Sequence, residues 1–141
     1  MLVLAGLVVS ACGADAGGIV ITDARLGLPT GPNAALYLTA ANDGPSDRLL
    51  GVETDLAAAV EIHETVTDTD GTIAMHTVDA LELAEGDTLV LEPGGLHLML
   101  VDVVRLVVGD SVVVTLDWEK AGPMPIRAEV VDPSDTLFDD G

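Results

Sequence analysis

The stretch "PGGLHLMLVDV", Pro93–Val103, holds two patterns at once. Pro-Gly-Gly is a turn signal. After it, Leu96, Leu98 and Leu100 alternate with His97 and Met99. Side chains two apart on a strand share a face, so the leucines mark one side and His97 and Met99 the other. We expect the leucine side in the core. The opposite side then offers an imidazole and a thioether about 7 Å apart along the chain.

The same alternation recurs on both sides of this stretch. "GIVITDARL", "AALYLTAAN", "RLLGVET", "AAVEIHETVTD" and "TIAMHTV" read as strands, with "PTGPN", "DGPSD" and "TDG" as turns. "ALELAEGDTLVLEPGG" gives two short strands around "EGD". "LVVGD" and "SVVVTLDWE" follow, and "KAGPMP" turns into a last strand, "IRAEVVD". No segment keeps a helical period over three turns, and only "DLAAAV" offers a helical turn. Short strands with turn signals every 8–12 residues or so predict an antiparallel sandwich or Greek-key barrel. A chain of 141 residues suits one such domain.

Composition narrows the function. Hydrophobic residues make up 49% and aromatics 2%, so the core is aliphatic and stacking platforms for bases or sugars are all but absent. Asp and Glu number 24 against 5 Lys and Arg, a net charge of −19. That balance excludes nucleic acid, whose phosphates need cationic partners. It serves solubility, with steering of a cation or a basic partner as the alternative.

"MLVLAGLVVSAC" is apolar up to Ala11 and too short to span a bilayer. It has the length and small-residue ending of a signal-peptide core, although no Lys or Arg precedes it. "VVSAC" resembles a bacterial lipobox, which makes Cys12 the expected lipidation site; the alternative is a small buried cysteine in a first strand. The expected organisation is a signal peptide over 1–12, a flexible tether over 13–17, the folded domain over 18–132 and an acidic tail over 133–141. Lipidation implies anchoring at the outer face of the cytoplasmic membrane, or a periplasmic protein if soluble. With no second cysteine there is no intrachain disulfide.

Catalytic constellations are missing. The three histidines, His63, His76 and His97, have no G-x-S-x-G elbow near them, and no Walker-type phosphate loop occurs. Soft ligands remain. Imidazole with thioether favours copper, and thioether selects Cu(I). Hard cations call for carboxylate clusters, and zinc for cysteine or a third histidine. On its own, a methionine in a strand is most often core filler.

The spacing adds to this. Residues 76–96 separate Met75 from His97, residues 65–74 separate Glu64 from Met75, and Glu64 follows His63. This resembles the H(M)X10MX21HXM signature of the periplasmic copper chaperone family, PCuAC. The similarity extends to "AALYLTAANDGPSDRLLGVETDLAAAVEIHETV", "LEPGGLHLMLVDV" and "GDSVVVTLDWEKAG", from about Gly18 to Val131. The resemblance implies a cupredoxin-like antiparallel Greek-key β-sandwich, all-β, that binds one Cu(I) through His63, Met75, His97 and Met99. It implies transfer to a copper-accepting protein, such as a cytochrome c oxidase subunit or another copper chaperone, without enzymatic activity. Glu64 stands where some members carry a second Met. The tail "DPSDTLFDDG" lacks the Met and His that some members use for extra copper.

We read His76 as solvent-exposed, with a pH-dependent role or support of a metal ligand as the alternative. Met124 reads as incidental in a turn, with shielding of copper as the alternative. Trp118 reads as packing, or as a cation–π cover for Cu(I). A monomer is expected. Two rival functions frame the test. One is a lipoprotein interaction domain without metal, which predicts the four side chains scattered. The other is a copper oxidase, which needs an open Cu(II) position that thioethers disfavour. A blue-copper centre is excluded because the folded part has no cysteine.

Overall fold

The computed structural model describes residues 15–16, 18–28 and 31–132. The signal segment with Cys12 and the tail 133–141 lie outside the described residues. Eleven strands form: β1 (Asp15–Ala16), β2 (Ile19–Gly27), β3 (Ala34–Asn42), β4 (Asp47–Glu53), β5 (Ala59–Thr67), β6 (Ile73–Thr77), β7 (Leu81–Leu83), β8 (Thr88–Leu91), β9 (Leu96–Val101), β10 (Ser111–Trp118) and β11 (Gly122–Val131). The described residues contain no helix, and "DLAAAV" is a turn and bend leading into β5.

One ladder runs β6-β5-β9-β3-β2-β11-β10-β4-β7, with β1 added to β2 and β8 to β3. It closes into a cupredoxin-like sandwich, because inward side chains from both halves join one cluster. Ile62, Leu98 and Leu100 of β5 and β9 belong to the same core as Leu49, Leu116 and Ile126 of β4, β10 and β11. The core is aliphatic as expected, with Trp118 and Met124 as its largest additions. Alternation drives this: β3 reads buried at Ala34, Leu36, Leu38 and Ala40, and β10 at Val112, Val114, Leu116 and Trp118.

Several expectations need correction. The sheet is not wholly antiparallel, since β11 runs parallel to β2 through Glu129↔Arg25, Val130↔Leu26 and Val131↔Gly27. The turn read in "KAGPMP" is shorter, and β11 already starts at Gly122. Pro123 and Pro125 fit there because β11 meets β2 only from Glu129 onward, so one edge at the prolines has no ladder to interrupt. "LVVGD" lies in the connection between β9 and β10 and forms no strand. The two strands around "EGD" do not pair with each other: β7 joins β4 and β8 joins β3. Asp15–Ala16, inside the expected tether, form the short strand β1 beside Val20 and Ile19.

The turn before β9 bears directly on the site. Gly95 N–H donates to the Glu92 carbonyl at 3.0 Å, and Gly94 has φ of 82°. Pro at the second position and a left-handed Gly at the third make this a type II turn. It launches β9 between β5 and β3.

Candidate metal centre

Two inner strands, β5 and β9, and one edge strand, β6, bring the four sequence-selected residues to one face. His63 on β5 is the direct cross-strand partner of His97 on β9, and Glu61 is the partner of Met99. Met75 on β6 is opposite Thr65. Ala35 on β3 is opposite Met99, so Tyr37 stands beside His97. Cross-strand partners share a face, with Cβ atoms about 5 Å apart. The face therefore carries a central row of Tyr37, His97 and His63. Met99 and Glu61 form the row on one side, Thr65 and Met75 the row on the other.

The histidine rings are in contact. Their centroids are 5.4 Å apart at an interplanar angle of 76°. Tyr37 flanks His97 on the other side at 6.4 Å. His97 is 3% exposed, so the expectation of an open, outward His97 needs correction. The neighbouring rings and the next strands cover it. Leu98 and Leu100 do point into the core, as the alternation predicts. Met99 is half-buried, and Met75 is 58% exposed on the edge strand.

Each histidine uses one ring nitrogen and leaves the other buried. His63 Nε2 lies 2.8 Å from Glu61 Oε2, and an ionised carboxylate only accepts, so Nε2–H donates. His97 Nδ1 lies 3.4 Å from the Gly95 carbonyl, which likewise only accepts. The remaining nitrogens, His63 Nδ1 and His97 Nε2, are buried without a hydrogen-bond partner. Both are lone-pair nitrogens in these tautomers. An unpaired buried polar atom costs on the order of 1–3 kcal/mol, which marks these two positions as exceptions with a use.

Burial holds the His97 imidazole below its ordinary pKa, and the nearby His63 pushes it the same way; the Gly95 carbonyl opposes them. The neutral, ligating form is thereby favoured. Burial also pushes the Tyr37 phenol up, so it stays protonated. Among the described residues no group of three or more His, Cys, Asp or Glu side chains is arranged to hold a metal. Imidazole nitrogen beside thioether sulfur is a donor set of the kind that suits a soft ion rather than a hard cation.

The other candidates separate cleanly. His76 is exposed, faces away from Met75 and is opposite Glu64. Met124 is buried on β11 opposite Leu116, a core residue rather than part of a turn. Trp118 ends β10 in the core. Two residues were not singled out from the sequence. Glu61 is legible in retrospect, because it sits two positions before His63 on the same strand face. Tyr37 had no local signal.

The fold and the site define a cupredoxin-like sandwich that gathers imidazole and thioether groups on one face. Residues 19–130 match the family described as "Putative lipoprotein LpqE-like". The chain belongs to this LpqE-like family, and its domain is of the PCuAC type. Among solved structures it is similar to the copper-bound PCuAC domain from PmoF2, with 31% identity and a TM-score of 0.72, covering 84% of this chain and 97% of that one. The apo PCuAC domain from PmoF1 gives 27% identity and a TM-score of 0.73, covering 84% and 98%. The Cu(I) form of DR1885 from Deinococcus radiodurans gives 28% and 0.65, covering 87% and 83%. Among curated proteins the chain is 26% identical over 122 residues to "Putative lipoprotein Lxx21020" of Leifsonia xyli subsp. xyli, covering 85% of this chain and 74% of that protein.

Proposed function

We propose that this protein is an extracytoplasmic Cu(I) metallochaperone that holds one copper ion through His63, Met75, His97 and Met99. The observation that carries this is the pair of buried lone-pair nitrogens, His63 Nδ1 and His97 Nε2, on contacting rings. The similarity to PCuAC domains solved with copper and with Cu(I) supports it. Imidazole and thioether are neutral ligands, and the thioethers release no proton on binding. Met75, exposed on the edge strand, is the ligand a partner reaches first. Stepwise replacement of such ligands by those of an acceptor gives transfer without catalysis.

Cys12 is the proposed lipid anchor, with residues 1–12 as signal and the binding domain over 18–132; the names of the related lipoproteins support this. The described residues contain no helix long and apolar enough to cross a membrane. The proposed acceptor is a copper protein outside the cytoplasmic membrane, such as the copper-bearing subunit of a cytochrome c oxidase.

The test is a titration of the reduced apo domain against a chromophoric Cu(I) chelator. About one equivalent should be withdrawn, and withdrawal should vanish in a His97→Ala, Met99→Leu double variant. No competition by the unaltered domain, or undiminished competition by the variant, refutes the assignment.

A further inference from the structure

Glu61 lies outside the four-residue set, yet it touches it. Its carboxylate is 2.8 Å from His63 Nε2, on the same face of β5, and it is the cross-strand partner of Met99. The His63 side chain is 15% exposed and that of Glu61 48%. The ion pairs of Arg48 go to Glu82 and Glu119 rather than to Glu61. The carboxylate accepts the hydrogen bond of His63 Nε2–H.

This contact selects between the two orientations of the ring. A half-turn about the Cβ–Cγ bond exchanges Nδ1 with Cδ2 and Nε2 with Cε1. In the turned ring a carbon faces Glu61, and a carbon also occupies the buried position where Nδ1 now points. Only the present orientation satisfies the carboxylate and leaves a nitrogen lone pair inside. The carboxylate also fixes the tautomer, because it demands the proton on Nε2. Metal-bound histidines commonly have the second nitrogen held in this way, by a carboxylate or a carbonyl. His97 is held by the Gly95 carbonyl and His63 by Glu61, so the two rings present different atoms.

We propose that Glu61 is a positioning residue for the copper site, which sets His63 to bind through Nδ1 while His97 binds through Nε2. The last step rests on the Cu(I) function proposed above; the hold on the ring does not. Loss of Glu61 lets the ring populate its non-binding orientation, and apparent affinity falls with the competent fraction.

The experiment is long-range 1H–15N correlation of the histidine rings at about pH 8, above the ordinary histidine range. It is run on the apo and Cu(I)-loaded protein, with Glu61→Ala and Glu61→Gln beside the unaltered chain. In the apo protein His63 should show a single tautomer protonated at Nε2. On Cu(I) loading its Nδ1 signal should move while Nε2 keeps its proton. Glu61→Ala should weaken Cu(I) binding about ten- to a hundredfold and remove the single tautomer. Glu61→Gln, whose amide oxygen still accepts, should restore Nδ1 binding and most of the affinity. Binding of Cu(I) through His63 Nε2, or Glu61→Ala with unchanged spectra and affinity, overturns the proposal. If the unaltered protein takes up no Cu(I), the copper function fails. The apo spectra then decide Glu61 alone: a tautomer lost in Glu61→Ala supports its hold on the ring, and an unchanged one overturns it.

Discussion

His63 and His97 are direct cross-strand partners, with ring centroids 5.4 Å apart, and each leaves one buried nitrogen unpaired. In the apo protein that arrangement is a cost, of order 1–3 kcal/mol for each unsatisfied group. His97→Leu should therefore leave the apo domain at least as stable as its parent, to within about 1 kcal/mol, while abolishing Cu(I) competition. Urea unfolding and the chelator titration measure the two effects. A loss of stability above about 2 kcal/mol would instead identify His97 as a packing residue.

The two methionines should differ in stability and agree in binding. Met75 is 58% exposed on an edge strand, so Met75→Leu should change stability by less than about 0.5 kcal/mol. Met99 is half-buried, and Met99→Leu, a swap of similar volume, should cost under about 1.5 kcal/mol. Both should weaken Cu(I) binding. An unchanged affinity in either variant removes that sulfur from the site.

The apo protein should lose stability as pH falls through the histidine range. Burial, with His63 adding to it, sets the folded pKa of His97 below its unfolded value of about 6.5. Below about 6.5 the unfolded chain takes up the proton first, so stability declines until the folded value is passed. Above about 6.5 both states are neutral and the contribution is complete. Urea midpoints at about pH 7.5, 6 and 5 should fall in that order, and the slope should flatten in His97→Leu. An equal slope in that variant would assign the effect elsewhere.

A second acid-sensitive point lies on β4, far along the ladder from β5 and β9. Asp47 Oδ1 accepts the N–H of Arg48 at 2.8 Å and of Lys120 at 2.9 Å, and Oδ2 accepts that of Ala121 at 2.9 Å. Burial alone would raise its pKa, but these three donors and the Lys120 charge outweigh it and hold the carboxyl below the ordinary range. Its contribution is present above about 3.9 and is lost as pH falls through the lower folded value. Asp47→Ala strands three donors and should cost about 3 kcal/mol. Cu(I) affinity should not change, because Asp47 begins β4, away from the β5–β9–β3 face. A matching loss of affinity would show that the two regions are coupled.

Much of this was legible as period-two alternation. "LHLMLV" separates a leucine face from a His/Met face because β9 buries Leu98 and Leu100 on one side. The register that puts His63 opposite His97 was not legible, since pairing of distant strands is set by the whole sheet. The burial of His97 also depended on residues outside its strand, Tyr37 and His63. Met124 looked like a turn residue because Pro123 and Pro125 flank it. Proline is tolerated there only because β11 has a single partner at that height, a fact of topology.

The parallel pair of β2 and β11 also sets an order in time. Arg25, Leu26 and Gly27 meet Glu129, Val130 and Val131, so one edge of β2, already paired with β3 on the other, waits for β11. The ladder cannot close around its core while the chain is still being synthesised or threaded. Sheets assembled from such distant partners fold in about milliseconds to seconds rather than microseconds. A chain with this strand order keeps its sandwich open until β11 is available to pair with β2.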